Sequence, residues 1–408
     1  MRVGICGGTF DPLHNGHAAL VHAALASGQV DRILLVPSGT PPHKRGDLVS
    51  LAGYRYEMAR RAFAGQPNVD VSDIEIRREG PSYTLDTARL LQASQPEDTI
   101  SLIYGSDILR DIERWHQPIA LLAGFPLLLA DRGGVARAET RDHADRLRGQ
   151  YGARLSFFSA PSIDLSATRI RQKASRGEPV TGLVPHPVSQ FIRRHGLYRW
   201  QDELSELEPA LWEELRGIER QLWTLLTPKR LLHTLNVLRY TLHLAIRHQV
   251  DLVQAARAAI LHDCAKCLPE KEQLQLARPL GDPSLLTVPL VHGPAGAALA
   301  RQRFGIDDPA ILQAIQYHTT GRGSMTSLDQ IVFVADKVEP ARTYARLDDI
   351  RRLAETDLDR ATAVCLEEIG LYLEREHLTD HPYADAAREE MSRRLDMRSD
   401  RHPPADGR

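Results

Sequence analysis

"GICGGTFDPLHNGH", residues 4–17, decides how the first half of this chain is read. It stands between the apolar run "RVGIC" and the alanine-rich "AALVHAALASG", which marks a strand turning into a helix. The strand is expected to end near Cys6. Gly7 and Gly8 let the backbone approach a ligand with no Cβ in the way. Gly16 keeps the start of the helix bare, and Asn15 is its expected cap. Free N–H groups at a helix start, together with the helix dipole, make an anion site. His14 and His17 stand at that terminus, aimed where a triphosphate lies. Attack on a nucleotide α-phosphate suits this arrangement, because positioned charge matters more there than a covalent nucleophile.

Outward from this loop, short β-rich runs alternate with helical patterns. The runs are "RVGIC", "RILLVP", "VDVSDIEI", "TISLIYG", "FPLLLA" and "RLSFFSA", with stretches such as "LAGYRYEMARRAFAG" between them. The alternation predicts right-handed βαβ units in an open, Rossmann-like parallel sheet covered on both faces. Ligands of such sheets bind at the carboxyl ends of the strands, where the chain order switches. Past Trp200 strand signals fade, and helical periods run over 230–248, 251–266, 294–304, 308–318, 326–338, 347–375 and 384–396. The expected organisation is an α/β domain over 1–200, a linker over 201–208, an all-α domain over 209–395 and a frayed polar tail over 396–408.

A length of 408 residues suits two domains. Hydrophobic residues at 42% and charged residues at 25% are ordinary for a soluble globular protein. A formal net charge of −2 gives no electrostatic case for a nucleic-acid or membrane partner. Four cysteines do not make a disulfide framework at this length, so a reduced, cytoplasmic setting is expected. No signal-peptide core precedes the first strand pattern, and the most apolar run, "IALLAGFPLLLA", is too short to span a membrane.

Thr9, Phe10, Asp11, Pro12, His14, Gly16 and His17 resemble, residue by residue, the (T/S)-F-D-P-x-H-x-G-H signature of the nucleotidylyltransferase superfamily. The string lacks the GK[ST] of a Walker A loop and is not a GxGxxG fingerprint. "SATRIR", residues 166–171, resembles the superfamily's second element. Ser166 and Thr168 can offer hydroxyls at a helix start, and Arg171 can clamp phosphates with its planar fork. "PSGTPPHK" carries Lys44, "GPSYTLDT" carries Tyr83 and Thr84, and "YGSDILRDIERW" carries Asp107 and Trp115. With "LVPHPVSQFIRRHGLY" these resemble bacterial nicotinate-nucleotide adenylyltransferase over essentially all of 1–200. The resemblance implies adenylyl transfer from ATP to nicotinate mononucleotide, giving deamido-NAD and pyrophosphate. It implies that Gly8, Thr9, Phe10 and Asp107 belong to the substrate-binding set and that Lys44 neutralises phosphate charge. Trp115 would stack on the nicotinate ring beside Tyr83 and Thr84, while backbone N–H groups hold the ring's carboxylate. Mg²⁺ would arrive on the ATP phosphates, with no dedicated protein cage. The rival for this half is a different acceptor, such as phosphopantetheine.

In the helical half, "KRLLHTLNVLRYTLHLA" supplies His233 and "AAILHDCAK" supplies His262 and Asp263. "LVHGPAGA" supplies His292, "AIQYHTTGR" His318 and "IVFVADKVEPAR" Asp336. Each interrupts an apolar stretch, and a buried charged Asp is costly unless paired or metal-bound. Imidazole nitrogens and carboxylate oxygens suit a divalent metal in a helical bundle. The order H…HD…H…H…D resembles the HD-domain metal-dependent phosphohydrolases. His233, His262, Asp263 and Asp336 match their metal ligands, and His292 and His318 match positions facing substrate or a second metal. "HTTGR" and "ADKVEPAR" narrow the resemblance, over about 228–375, to bacterial HD hydrolases that split diadenosine tetraphosphate symmetrically into two ADP. That implies an iron-type centre acting on water and phosphorus, with Asp263 catalytic and with Thr319, Gly321 and Arg342 as nucleotide contacts. Cys264 and Cys267 form a CxxC expected inside the same helix as the His–Asp pair. No second pair exists for a zinc site, so both are expected to pack as small apolar residues. The alternative from another class is a non-catalytic nucleotide-sensing module that regulates the first domain.

Overall fold

Val3 and Ile5 of the first strand enter one buried cluster, while Cys6 enters another. Alternation of this kind places a sheet between two layers. The structure, a computed structural model, describes residues 1–40, 49–132, 138–205, 207–280 and 282–401. The chain divides into two compact units, Met1–Gln201 and Asp202–Arg408.

In the first unit, six strands form one all-parallel sheet: β1 (Arg2–Gly8), β2 (Arg32–Pro37), β3 (Val69–Val71), β4 (Thr99–Gly105), β5 (Leu127–Arg132) and β6 (Leu155–Ala160). Their order is β3-β2-β1-β4-β5-β6. The helices are α1 (Asn15–Ala26), α2 (Ala52–Ala62), α3 (Ile74–Arg77), α4 (Thr84–Ser94), α5 (Pro118–Gly124), α6 (Ala138–Tyr151), α7 (Ala167–Ser175) and α8 (His186–Arg194). Leu85 and Leu91 of α4, Leu121 of α5 and Leu147 of α6 join Val3 and Ile5 on one face. Val21 and Ala24 of α1 and Ala59 of α2 join Cys6 and Ile33 on the other. Chain order reverses between β1 and β4, so the loop after β1 opens at the switch point.

Two strand boundaries differ from expectation. β1 continues past Cys6, because Gly7 and Gly8 still pair with Val36 and Pro37. "VDVSDIEI" is not one strand. Ser72 Oγ accepts from Ile74 N at 3.3 Å, and Arg77 Nε binds Asp73 at 2.6 Å. These local bonds compete with the ladder and turn the chain into α3.

The second unit is helical, with no strand among its described residues. It comprises α9 (Gln201–Leu204, entering from the first unit), α10 (Pro209–Leu225), α11 (Pro228–Arg247), α12 (Leu252–Leu261), α13 (Glu270–Ala277), α14 (His292–Phe304), α15 (Pro309–Tyr317), α16 (Ser327–Val338), α17 (Leu347–Thr356), α18 (Leu358–Arg375) and α19 (Pro382–Arg401). α9 lies within the expected linker. The helix expected over 347–375 breaks at Asp357, whose side chain accepts from Arg360 N and caps α18. α13 carries no clear period, and α19 runs on to Arg401, into the stretch expected to fray. α12 ends at Leu261, so His262, Asp263 and the CxxC lie in the turn beyond it. Cys264 is buried as expected, but Cys267 is exposed. No described helix is long and apolar enough to cross a membrane.

Candidate functional site

The start of α1 is capped differently from expectation. His14 is the cap residue, with an extended backbone, and Asn15 is the first helical residue. Asn15 Nδ2 donates instead to Gly182 O at 2.8 Å. His14 N donates to His17 Nδ1 at 3.2 Å, which leaves the proton of a neutral His17 ring on Nε2. The two imidazoles stack with centroids 3.7 Å apart, and Phe10 meets His17 edge-on at 5.1 Å. Phe10 is 2% exposed, and a Cβ on Gly8 would lie 3.0 Å from its ring. The Phe10 ring therefore shapes the loop from beneath.

The loop is tied down by long-range bonds. Buried Asp11 accepts from Tyr198 OH at 2.8 Å and from Ser50 N at 3.0 Å. Arg171 Nη1 donates to Asp11 O at 2.8 Å, and Nη2 reaches Thr168 Oγ1 at 3.4 Å. Ser166 caps α7 without using its hydroxyl for the cap. Thus "SATRIR" meets the first motif, as the paired motifs require.

Beside this loop lies a cavity of about 430 Å³, lined by Gly8, Thr9, Tyr83, Thr84, Trp115, His116 and others. Trp115 stands edge-on to Tyr104 at 5.3 Å, and Tyr83 stacks on His116 at 4.1 Å. α4 begins at this cavity, so its first N–H groups can meet an anion there. Asp107 is exposed in the short 3-10 helix after β4, Ser106–Arg110, and is not among the residues lining the cavity. Lys44 lies outside the described residues.

Two supports escaped the sequence. Arg55 is 2% exposed and donates to the carbonyls of Ser50 (2.8 Å), Thr9 (3.0 Å) and Gly39 (3.3 Å), clasping three loops. Buried Glu75 lines the cavity and accepts from Thr87 Oγ1 at 2.6 Å; burial pushes its carboxyl up. Arg and Glu on helices read as surface residues, so no pattern singled them out.

In the second unit six predicted residues converge from α11, the turn after α12, α14, the end of α15, and α16. Ligand atoms of His233, His262 and Asp263 lie within 4.8 Å of one another, and so do those of Asp263, His292 and His318. Asp336 Oδ1 is 2.9 Å from His233 Nε2 and 3.9 Å from His262 Nε2. Nδ1 of His262, His292 and His318 lies 2.7 Å from the carbonyls of Ala259, Pro289 and Ile315 respectively. Each such bond places the ring proton on Nδ1 and leaves a lone pair on Nε2. His262 Nε2 is buried and has no hydrogen-bond partner among the described residues. An orphaned buried acceptor is costly, and a cation there removes the cost. The residues therefore fit a divalent ion held by nitrogen and carboxylate oxygen.

Burial opposes ionisation of Asp263, but His262 and His318 outweigh it and hold the carboxyl well below the usual range. Asp336 is likewise held low against burial, by Lys337 and His233. Burial pushes His292 down to about 3, with His318 adding to the effect, so the ring stays neutral.

A ring of cations surrounds the cluster. Arg230 Nη1 lies 2.7 Å from Asp263 Oδ2, and Lys337 Nζ lies 2.7 Å from Asp336 Oδ2. Lys266 Nζ lies 3.3 Å from His292 Nε2, and Arg342 Nη2 lies 3.5 Å from Asp336 Oδ1. Only Arg342 was expected. Arg230, one helical turn before His233, had a readable signal in its spacing. Thr319 Oγ1 sits 3.2 Å from His292 Nε2. Gly321, expected as a nucleotide contact, stands in a turn beside Thr319. Its φ is +69°, and a Cβ there would lie 3.3 Å from Ala387 Cβ, so it serves a turn packed against α19.

Known proteins resemble the two units separately. A cytidylyltransferase-like family model matches residues 5–173, and an HD-domain model matches residues 230–341. A probable nicotinate-nucleotide adenylyltransferase of Desulfitobacterium hafniense is 36% identical over 198 residues, covering 48% of this chain and 96% of the relative. A protein of the same name from Synechococcus sp. is 38% identical over 199 residues, covering 48% of this chain and 94% of the relative. A crystal structure of a predicted HD superfamily hydrolase involved in NAD metabolism, from Clostridium acetobutylicum, is 32% identical. It covers 44% of this chain and 96% of that one, with a TM-score of 0.42.

Proposed function

The N-terminal half of this chain belongs to the nicotinate-nucleotide adenylyltransferase family, and from that premise we propose that the protein is bifunctional. The first unit transfers an adenylyl group from ATP to nicotinate mononucleotide. The second hydrolyses diadenosine tetraphosphate to two ADP.

The observation that carries the first activity is the junction of the α1 start with the aromatic cavity through one loop, residues 7–17. His17 Nε2–H, His14 and Arg171 surround the triphosphate, with Ser166 and Thr168 offering hydroxyls. Trp115 stacks on the nicotinate ring, and the α4 start at Tyr83 and Thr84 takes its carboxylate. The 5′-phosphate oxygen of the mononucleotide then attacks the α-phosphorus, and pyrophosphate leaves. Charge building on the phosphoryl oxygens is met by donors already in place. Lys44 adds positive charge, and Mg²⁺ accompanies the ATP phosphates.

The second activity rests on the orphaned His262 Nε2 among inward-facing ligands. A bound divalent ion, iron in this reading, supplies Lewis acidity at phosphorus. His233, His262, Asp263 and Asp336 hold it, with His292 and His318 beside them. Arg230, Lys266, Lys337 and Arg342 offset the charge of a tetraphosphate chain, and Thr319 offers a hydroxyl to it. Water adds across the central P–O–P linkage, which releases two ADP.

The test is product identification by mass spectrometry with the purified full chain. ATP plus nicotinate mononucleotide is expected to give deamido-NAD and pyrophosphate, and diadenosine tetraphosphate to give ADP alone. Turnover only with another acceptor rejects the first assignment, and ATP plus AMP as products rejects the second. A metal-loaded chain that leaves diadenosine tetraphosphate intact, yet changes its adenylyl-transfer rate when that nucleotide is added, would instead be a sensing module.

A further inference from the structure

Three of the four imidazoles at the second centre fasten Nδ1 to a main-chain carbonyl three residues earlier. His233 does not. Its Nδ1 faces the carboxylate of Glu339, with Oε1 at 3.3 Å. We propose that Glu339 is a positioning residue for the metal centre: it fixes the ring proton of His233 on Nδ1 and so keeps Nε2 a ligand. The inference rests on the second unit binding a divalent ion and is independent of which phosphate ester it cleaves.

Glu339 stands just beyond α16 and is 3% exposed. Its Oε2 accepts from Asn236 Nδ2 at 2.9 Å and from Ala341 N at 2.6 Å. Arg342 Nε lies 3.9 Å from Oε1. His233 Nδ1, Asn236 Nδ2 and Ala341 N thus converge on one buried carboxylate, which is an acceptor at both oxygens, with the Arg342 charge nearby. A carboxylate behind a ligating imidazole sets its tautomer and raises its basicity toward the ion.

The amide isostere separates this role from packing. Gln at 339 has one oxygen and one NH₂. Ala341 N–H can only donate, so the oxygen stays there and the NH₂ turns to His233 Nδ1. Nδ1 must then accept, which moves the ring proton to Nε2 and removes the lone pair meant for the ion. The alternative, two donors facing each other in a buried site, is also unfavourable.

The full chain, stripped with chelator, is titrated with Mn²⁺ by calorimetry, with circular dichroism to check folding. Glu339→Gln is expected to bind Mn²⁺ roughly 10–100-fold more weakly than wild type. Glu339→Asp keeps the charge and both acceptors, so its loss is expected to be smaller. An unchanged affinity in Glu339→Gln overturns the role. So does a greater loss in Glu339→Asp, because length and not the proton would then matter. If Glu339→Gln does not fold, long-range ¹H–¹⁵N spectra of the Zn²⁺-loaded wild type decide. A proton on His233 Nδ1 supports the proposal, and one on Nε2 overturns it. Wild-type chain that binds no Mn²⁺ overturns the metal site and the Glu339 role together. Wild-type binding with an unaffected Gln variant overturns the role alone.

Discussion

The first unit carries His14 and His17 on one loop, residues 7–17, at the end of a central strand, and adds Arg171 from α7. The second draws its site groups from five places in the chain, and His233 and Asp336, which touch, are 103 residues apart. His14 and His17 of the loop site are only partly buried. The helical site is closed, and its charges satisfy one another. Removing one group from the first should reduce the rate by the worth of one contact. Removing one from the second leaves buried partners uncompensated, which costs far more than the contact itself.

Asp263→Ala tests that difference at its largest. Asp263 belongs to both ligand groups and also pairs with Arg230. Its loss is expected to empty the centre of metal and abolish phosphate-ester hydrolysis, with adenylyl transfer unchanged, since the two sites belong to separate compact units with their own cores. Elemental analysis and both assays on one preparation check it. Hydrolysis by a metal-free variant would refute the metal mechanism. Loss of both activities in a folded variant would show that the second unit controls the first.

His17→Ala comes next. Losing one preorganised donor typically costs about 10²–10³ in rate. The fold should survive, because His17 is only partly buried, and hydrolysis by the second unit serves as the internal control. Near-wild-type adenylyl transfer would remove His17 from the phosphate site.

How much of each site could be read in advance follows from the same contrast. Thr9 to His17 is one string, so its residues were legible together. His233, His262, Asp263, His292, His318 and Asp336 were legible only as an order, because each is a lone polar residue in an apolar run. What surrounds them was mostly not legible. Glu339, Lys266 and Lys337 look like surface charges in or beside helices until packing turns them inward. Asn15 looked like a cap because a helix was expected to start after it, whereas the His14–His17 bond starts the helix one residue earlier. The break at Asp357 and the turn at Ser72 were missed for a related reason. A single side chain accepting from a nearby backbone N–H outweighs the periodicity of the residues around it.

Arg171→Lys should fall below His17→Ala in effect. Lys keeps the charge but loses the fork that can hold Asp11 O and a phosphate oxygen at once. One charge-assisted hydrogen bond of roughly 1.5 kcal/mol corresponds to about a tenfold fall in kcat/KM for ATP. Equal kinetics would place Arg171 in the loop scaffold alone.

Asn15→Ala is the smallest change and sharpens the picture of the loop site most. An N-cap side chain would touch the helix start, and its loss would be felt where phosphate binds. In the structure the Asn15 side chain points away from that role and ties α1 to Gly182. The backbone bond from Asn15 N to Leu183 O, at 3.0 Å, survives the substitution, and so does the stack of His14 on His17. The expected loss is one partly exposed hydrogen bond, about 1 kcal/mol. For a unit of this size that lowers the melting midpoint by roughly 2–4 °C. Calorimetry should register the shift in the first unit's transition, while kcat and the KM for ATP stay at wild-type values. A fall in kcat with an unmoved midpoint would put the Asn15 side chain on the triphosphate, and the anion site would then reach one residue further into α1.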